Sequence, residues 1–197
     1  MINLPVPEYD AKYDLNKAMQ HRRSVREFKE DPLTLVEVGQ LLWAAQGVTT
    51  LGGFRTAPSA GALYPIESYL VVGQVQDLNP GIYRYDFRKH ILTHMVDGDR
   101  RNELAAAALD QTWMAVAPAM LAFAAVYERT TERYGERGVR YIHMEIGHAA
   151  ENVSLEAVAL NLGTVVVAAF SDMDVKKALG LPAAEHPLCL MPVGRKK

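Results

Sequence analysis

Arg22, Arg23, Ser24 and Arg26 place three guanidinium groups and a hydroxyl within five residues. A planar guanidinium grips phosphate oxygens through paired hydrogen bonds, and a neighbouring hydroxyl adds a further donor. The cluster reads as a pocket for a phosphate, on a metabolite or a cofactor; the alternative reading is a solvated basic turn. Other constellations offer less. His143 and His148 are five residues apart on a predicted helix and point to different faces, whereas metal ligands on one helix need three or four. Glu145 and His148 form half of a di-iron pattern whose second half is missing. His90 and His94 share one face of a predicted strand but stand about two residue pairs apart. No Gly-x-Ser-x-Gly elbow surrounds Ser59 or Ser171, and no Walker loop or dinucleotide-binding glycine fingerprint occurs. The chain shows no strong acid, base or nucleophile of its own. An enzyme built on it needs a bound cofactor to carry the chemistry.

The elements that must position this cluster fit one domain. The chain has 197 residues, 49% hydrophobic and 22% charged, enough for one good-sized core and too short for two. A net charge of −2 disfavours a general nucleic-acid binder, so the local basic cluster points to a small, specific anionic ligand. A single cysteine, Cys189, lies in an apolar run; it excludes an intrachain disulfide and predicts a buried small hydrophobe in a reducing compartment. The N-terminus lacks a charged-then-apolar signal pattern, and the longest apolar stretch, Val116 to Tyr127, is interrupted by Pro118. A cytoplasmic protein with no membrane or nucleic-acid partner is expected.

Residues 1–13 are expected to form an extended arm, with the domain proper at 14–197. Asp14 can cap a first helix, and the basic cluster follows its end. Thr34-Leu35-Val36-Glu37 fits a capping box for a second helix ending at Gly47. A glycine- and threonine-rich loop leads to Pro58-Ser59-Ala60-Gly61-Ala62-Leu63-Tyr64-Pro65, whose small residues let backbone amides come close to a ligand. Three strands are expected at Ile66–Gly73, Ile82–Phe87 and Ile91–Val96, the last two turning about Arg88-Lys89. An alanine-rich helix runs from Asp99 to Leu109, and Gln111 and Trp113 lead into a buried strand from Ala119 to Tyr127. Residues 128–138 are polar and predict a mobile loop or lid. The longest helix spans Val139 to Leu162, is stopped by Gly163, and carries enough apolar surface to be central or shared with another subunit. Thr164–Phe170 predicts a fully buried strand, Asp172 or Asp174 a cap for a short helix to Gly180, and Leu188–Val193 the final strand. The order of elements gives an α+β fold with a mixed sheet packed between helices.

Arg22-Arg23-Ser24-Val25-Arg26-Glu27-Phe28 resembles the opening signature of the FMN-dependent nitroreductase family. Pro58 to Pro65 followed by Glu67 is similar to its SagB-type dehydrogenase subgroup, oxidase partners of azole-forming peptide synthetases. So is the stretch from Arg140-Tyr141 through Glu145, Gly147, His148 and Asn152 to Leu162-Gly163-Thr164. The resemblance runs from about Leu15 to Arg195. It implies a homodimer with FMN at the interface, NAD(P)H as electron donor and a small-molecule electron acceptor. By position, Arg22, Arg23, Ser24 and Arg26 would hold the phosphate and ribityl chain. Pro58, Ser59, Ala60, Gly61 and Leu63 would lie against the flavin, contributed by the partner subunit, and Gln111 would contact it. Ala168-Ala169-Phe170 would place a backbone amide near flavin N5, and Arg195 would close over the phosphate. No protein residue is implied as the proton donor. Three departures stand out: Ala168-Ala169 replaces glycine, the chain stops two residues after Arg195, and Arg133-Tyr134 stands where azole-forming members carry Lys-Tyr. Arginine cannot act as a base at neutral pH. That departure weakens a carry-over of azole oxidation, and the alternatives to the leading reading are an azoline-oxidising subunit of a peptide-modifying complex or a non-catalytic flavin-binding partner.

Overall fold

The computed structural model describes residues 1–10 and 13–197; Ala11 and Lys12, at the end of the expected arm, lie outside the described residues. Strands β1 (Ile2–Asn3), β2 (Ile66–Val72), β3 (Gly81–Asp86), β4 (Ile91–Asp97), β5 (Ala119–Ala125), β6 (Leu162–Thr164) and β7 (His186–Arg195) form one sheet. Their order is β1-β4-β3-β2-β5-β7-β6. All pairs of these strands are antiparallel. Parallel pairing enters through two single bridges, Ser24–Thr164 and Leu33–Val75. Helices α1 (Leu15–His21), α2 (Leu35–Gln46), α3 (Arg101–Ala107), α4 (Glu128–Tyr134), α5 (Arg137–Ala159) and α6 (Asp172–Leu179) flank it.

The central strands are apolar on both faces because both faces are covered. Along β5, Leu121 and Phe123 join a core beneath α2 and α5 with Leu41, Leu42, Ile142 and Val153. The alternate residues Met120, Ala122 and Ala124 join a second core beneath α3 and α6 with Leu104, Val175 and Leu179. Side chains of a strand alternate between faces, so one continuous apolar run feeds two layers of helix. The architecture is α+β in a single domain.

Several local expectations are met by identifiable bonds. Asp14 accepts a hydrogen bond from the Lys17 amide, and Thr34 and Glu37 close a reciprocal capping box. Asp86 Oδ1 accepts from the amides of Arg88 and Lys89 and turns the β3–β4 hairpin. Others need correction. Residues 128–138 are not a loop: they contain α4 and the first two residues of α5. Their polarity misleads because α4 is held by charge: Arg129 donates to Glu67 Oε1 at 2.6 Å and to the Tyr64 carbonyl at 3.0 Å. The strand expected over Thr164–Phe170 stops at Thr164 and resumes only as a bridge between Val167 and Leu190. Val165 and Val167 are buried while Val166 is exposed, so the β-branched run serves packing rather than a ladder. Asn161, in a left-handed conformation (φ 57°), follows the end of α5 in place of Gly163. Gly163 lies within β6 and is required for another reason: a Cβ there would stand 2.7 Å from Val25 Cγ1. Ser171 rather than Asp172 or Asp174 caps α6, accepting from the Asp174 amide. Cys189 is buried, and burial pushes its thiol up to about 12.

Candidate functional site

The basic stretch leaves α1 in extended conformation and docks on the edge of the sheet. The Val25 amide donates to the Thr164 carbonyl at 3.0 Å, and the Lys29 amide donates to the Arg195 carbonyl at 3.0 Å. Phe28 is buried and stacks on Trp113, with ring centroids 6.5 Å apart. This seating fixes the alternation of side chains. Arg22, Ser24 and Arg26 take one side of the strand, and Arg23 and Val25 the other. Arg23 is turned away: its guanidinium donates to the carbonyls of Gln20 (2.9 Å) and Arg22 (2.6 Å), satisfying backbone at the end of α1. Arg22 makes an exposed pair with Glu151 of α5 at 3.2 Å. Arg26 is exposed, and its guanidinium has no partner among the described residues. Two guanidiniums and a hydroxyl along one side of a strand is a donor set that fits a phosphate dianion.

Gln111 and Trp113 reach the same end of the sheet through Trp113 and Phe28. The Gln111 side-chain amide donates to the Ala108 carbonyl at 2.9 Å, which leaves its carbonyl oxygen uncommitted to that bond. Ala168 and Ala169 are exposed, and Phe170 half-buried, in the segment between the Val167 bridge and α6; the Ser171 amide anchors that segment on the Ala107 carbonyl. Arg195 does not join them. It pairs with Glu37 at the start of α2 at 2.6 Å, so its charge is used to hold β7 to α2.

The small-residue turn sits elsewhere. It runs into β2 at Ile66, which pairs with Ala125, whereas Ser24 bridges Thr164, which pairs with Val193 and so with Ala119. The two candidate binding segments therefore lie about 20 Å apart along the strand direction and, four strand spacings across the sheet, about 19 Å apart sideways. Within the turn Gly61, Ala62 and Tyr64 are all left-handed (φ 63°, 53° and 48°). Ser59 Oγ accepts from the Tyr64 amide at 2.9 Å and closes the turn. Pro58, Gly61 and Ala62 present an exposed surface.

Around the turn lies a group of charges that sequence reasoning did not single out. A cleft of about 700 Å³ is lined by Ala62, Leu63, Tyr64, Arg55, Glu67, Arg84, Phe87, Arg88 and Arg129 among others. Glu67 is buried and accepts from both Arg84 (2.8 Å) and Arg129 (2.6 Å). Arg84 also reaches Glu185 at 3.2 Å. Arg55 lies over the rings of Tyr64 and Phe87 (4.2 and 3.4 Å) and donates to Gln46 Oε1 at 2.8 Å; burial lowers its guanidinium to about 10. Only Glu67 carried a sequence signal, as the acid after Pro65; the arginines come from four separate segments. No group of acidic, histidine or cysteine side chains suited to a metal ion occurs among the described residues. His143 instead contacts the Tyr127 hydroxyl at 2.8 Å.

An extended basic segment docks on the sheet edge, and a small-residue turn stands at the far end of the sheet's central strands. Residues 19–195 match the Nitroreductase family, and the chain belongs to that family. It is 50% identical over 182 residues to a provisionally named nitroreductase of Methanocaldococcus jannaschii, covering 92% of this chain and 91% of that one. A crystal structure of a nitroreductase, likewise provisionally named, from Ralstonia eutropha superposes over the whole chain and 89% of its own, with a TM-score of 0.88 and 32% identity. The trifolitoxin-processing protein TfxB of Rhizobium leguminosarum bv. trifolii is 28% identical over 180 residues, which are 81% of this chain and 45% of that protein.

Proposed function

We propose that the protein is a cytoplasmic FMN-dependent oxidoreductase that works as a homodimer, passing hydride between NADH or NADPH and a small planar acceptor of nitro, quinone or enone type. The observation that carries this reading is the separation of the two binding segments by the length of β5. A second copy that supplies the Pro58–Leu63 turn would bring the two segments onto a single flavin.

When bound, FMN supplies the hydride chemistry that the chain's own residues lack. Arg22, Ser24 and Arg26 hold the phosphate, and Gln111 contacts the flavin. Pro58, Ser59, Ala60, Gly61 and Leu63 of the second copy pack against the ring through small side chains and backbone. The Ala168-Ala169-Phe170 segment would offer backbone amides to the flavin, where a fixed donor would stabilise negative charge at no reorganisation cost. Arg195 reaches the phosphate only by leaving Glu37, and Arg23 only by leaving two carbonyls.

A second reading, an azoline-oxidising subunit of a peptide-modifying complex, is supported by the likeness to TfxB, while arginine in place of lysine at Arg133-Tyr134 counts against it. The absorbance spectrum of the purified protein, before and after NADH and NADPH, tests both. Flavin bands bleached by nicotinamide alone support the first. Bleaching that requires a partner protein supports the second, and colourless protein that takes up no added FMN overturns both.

A further inference from the structure

Arg55 stands in the loop before the small-residue turn, joined to Val48 by a single bridge. Its guanidinium lies over two aromatic rings, 4.2 Å from the centre of Tyr64 and 3.4 Å from that of Phe87. Tyr64 meets it from a left-handed backbone (φ 48°), a conformation that a bulky residue avoids unless surrounding contacts hold it. The Tyr64 hydroxyl accepts from the Arg55 amide at 3.2 Å, so ring and hydroxyl both serve Arg55. Arg88, in the turn of the β3–β4 hairpin, brings a second guanidinium to 5.5 Å from the centre of the same Phe87 ring. One ring thus gathers two like charges.

Like charges held together call for a counter-charge. In the same cleft Arg84 and Arg129 have theirs, since Glu67 pairs with both and Glu185 with Arg84. Arg55 and Arg88 make no ion pair among the described residues. Where a carboxylate would neutralise Arg55, the buried Gln46 offers a neutral amide oxygen at 2.8 Å. The Arg55 Nε is buried with no hydrogen-bond partner. Glu145 of α5 acts on Arg55, but burial raises that carboxyl to about 7, so it offsets the charge only in part. Asp86 lines the cleft as well, with its Oδ1 engaged by the amides of Arg88 and Lys89. A guanidinium desolvated against aromatic rings with no anion beside it is costly to keep.

There is room for an anion to reach the pair. The cleft of about 700 Å³ touches both guanidiniums, and a second cavity of about 250 Å³ opens on the same Arg55, Tyr64, Phe87 and Arg88. The cleft also reaches Ala62 and Leu63 of the turn. A small molecule lying in it can meet the turn with one end and the two guanidiniums with the other.

We propose that Arg55 and Arg88 form an oxyanion site that selects electron acceptors carrying a carboxylate. The proposal rests on the reading of the turn as flavin-facing given above. The planar, reducible end of the acceptor faces the turn at Ala62 and Leu63, and its carboxylate lies on the guanidiniums beside Phe87. The guanidinium fork matches the two oxygens of a carboxylate. Charge decides against a phosphate. Four guanidiniums line the cleft, opposed by Glu67, Asp86 and the Glu185 that pairs with Arg84, which leaves one positive charge over. A monoanion balances it, whereas a phosphate dianion would leave an excess of negative charge beside Asp86.

The probes are para-nitrobenzoate and its uncharged counterpart para-nitrobenzamide, which share the ring and the reducible nitro group. Their binding to the whole protein is measured by calorimetry without nicotinamide, with and without FMN, in the wild type, Arg88→Ala and Arg55→Gln. The wild type is expected to bind the acid about 10-fold or more tighter than the amide, the fold-change of one charge-assisted hydrogen bond. Arg88 is exposed, so Arg88→Ala is expected to fold normally and to lower that ratio about 2- to 5-fold. Arg55→Gln is expected to abolish the preference. Equal affinity for acid and amide in the wild type, or an unchanged ratio in Arg88→Ala, overturns the proposal. So does a KM for NADPH that rises in Arg88→Ala while the ratio stays put, which would give the site to a nucleotide phosphate. Wild-type protein that takes up no FMN overturns the proposed function instead, and the acid-to-amide ratio of the flavin-free protein still decides the oxyanion site.

Discussion

Gly61 lies directly against Tyr134: a Cβ at Gly61 would stand 2.7 Å from the Tyr134 hydroxyl oxygen and 3.1 Å from Arg133 Nη1. The turn and the end of α4 therefore form one surface. The tyrosine is braced from behind by Tyr141, edge to face at 5.3 Å. Whatever binds at the exposed face of the turn also meets a phenol and a guanidinium.

The contact makes Gly61 sensitive to the smallest substitution. Gly61→Ala adds a clash and a left-handed conformation that costs about 1–2 kcal/mol for a residue with a Cβ. Urea unfolding is expected to show a loss of that size. A loss below about 0.5 kcal/mol, within the range of ordinary surface changes, would mean that the turn and α4 separate freely.

Arg26 is the cleanest probe of the proposed phosphate site, because its guanidinium has no partner among the described residues to lose. Arg26→Ala is expected to weaken FMN binding by about 1.5–3 kcal/mol, roughly 10- to 150-fold, with the unfolding midpoint unchanged. Arg22→Ala should add only a small stability loss, under about 1 kcal/mol, since its pair with Glu151 is exposed. Flavin fluorescence titration measures both; unchanged affinity in Arg26→Ala would remove the phosphate assignment.

Glu67 holds two arginines from different elements, Arg84 on β3 and Arg129 on α4. Glu67→Gln keeps the shape but leaves Arg129 without its counter-charge and Arg84 with Glu185 alone. The arginine side chains are about a third exposed, so the cost lies between the exposed and fully buried limits, about 1–3 kcal/mol. Proteolysis should then cut first within α4, which loses its anchor to β2. Protection equal to the wild type would show that α4 is held by packing alone.

Glu145 gives the protein a pH dependence of definite sign. Its carboxyl is raised by burial from 4.5 to about 7, so the folded state binds a proton that the unfolded state has released. The penalty of keeping it buried is absent below pH 4.5, grows through the interval and is complete above about 7. Glu145→Gln removes it, and should match the wild type near pH 4.5 and exceed it at pH 8 by up to about 3 kcal/mol. Unfolding curves at the two pH values check this; a variant less stable at pH 8 would refute it.

Much of the architecture was legible because it depends on local chemistry. The caps at Asp14 and Thr34 are bonds within four residues, and the β3–β4 hairpin is closed by Asp86 on its own next neighbours. The apolar runs of β2 and β5 announced strands covered on both faces. Polarity and β-branching failed where a distant partner decided the outcome. Residues 128–134 form a helix because Glu67 and the Tyr64 carbonyl hold Arg129. Thr164–Phe170 leaves the ladder after Thr164, although Val165 and Val167 still pack into the core.

The sequence by itself supplied the candidate members of the site: a basic set at Arg22, Arg23, Ser24 and Arg26, a small-residue turn, and no evident nucleophile or metal cage. Only the tertiary structure decided which members stand together. Seating Ser24 on Thr164 turned Arg23 to the opposite side, and Glu37 engaged Arg195. The register of β5 put the basic strand and the turn at opposite ends of one sheet. Arg55, Arg84 and Arg129 come from segments far apart in the chain, and only folding gathers them around the buried Glu67 and makes their charges act on one another.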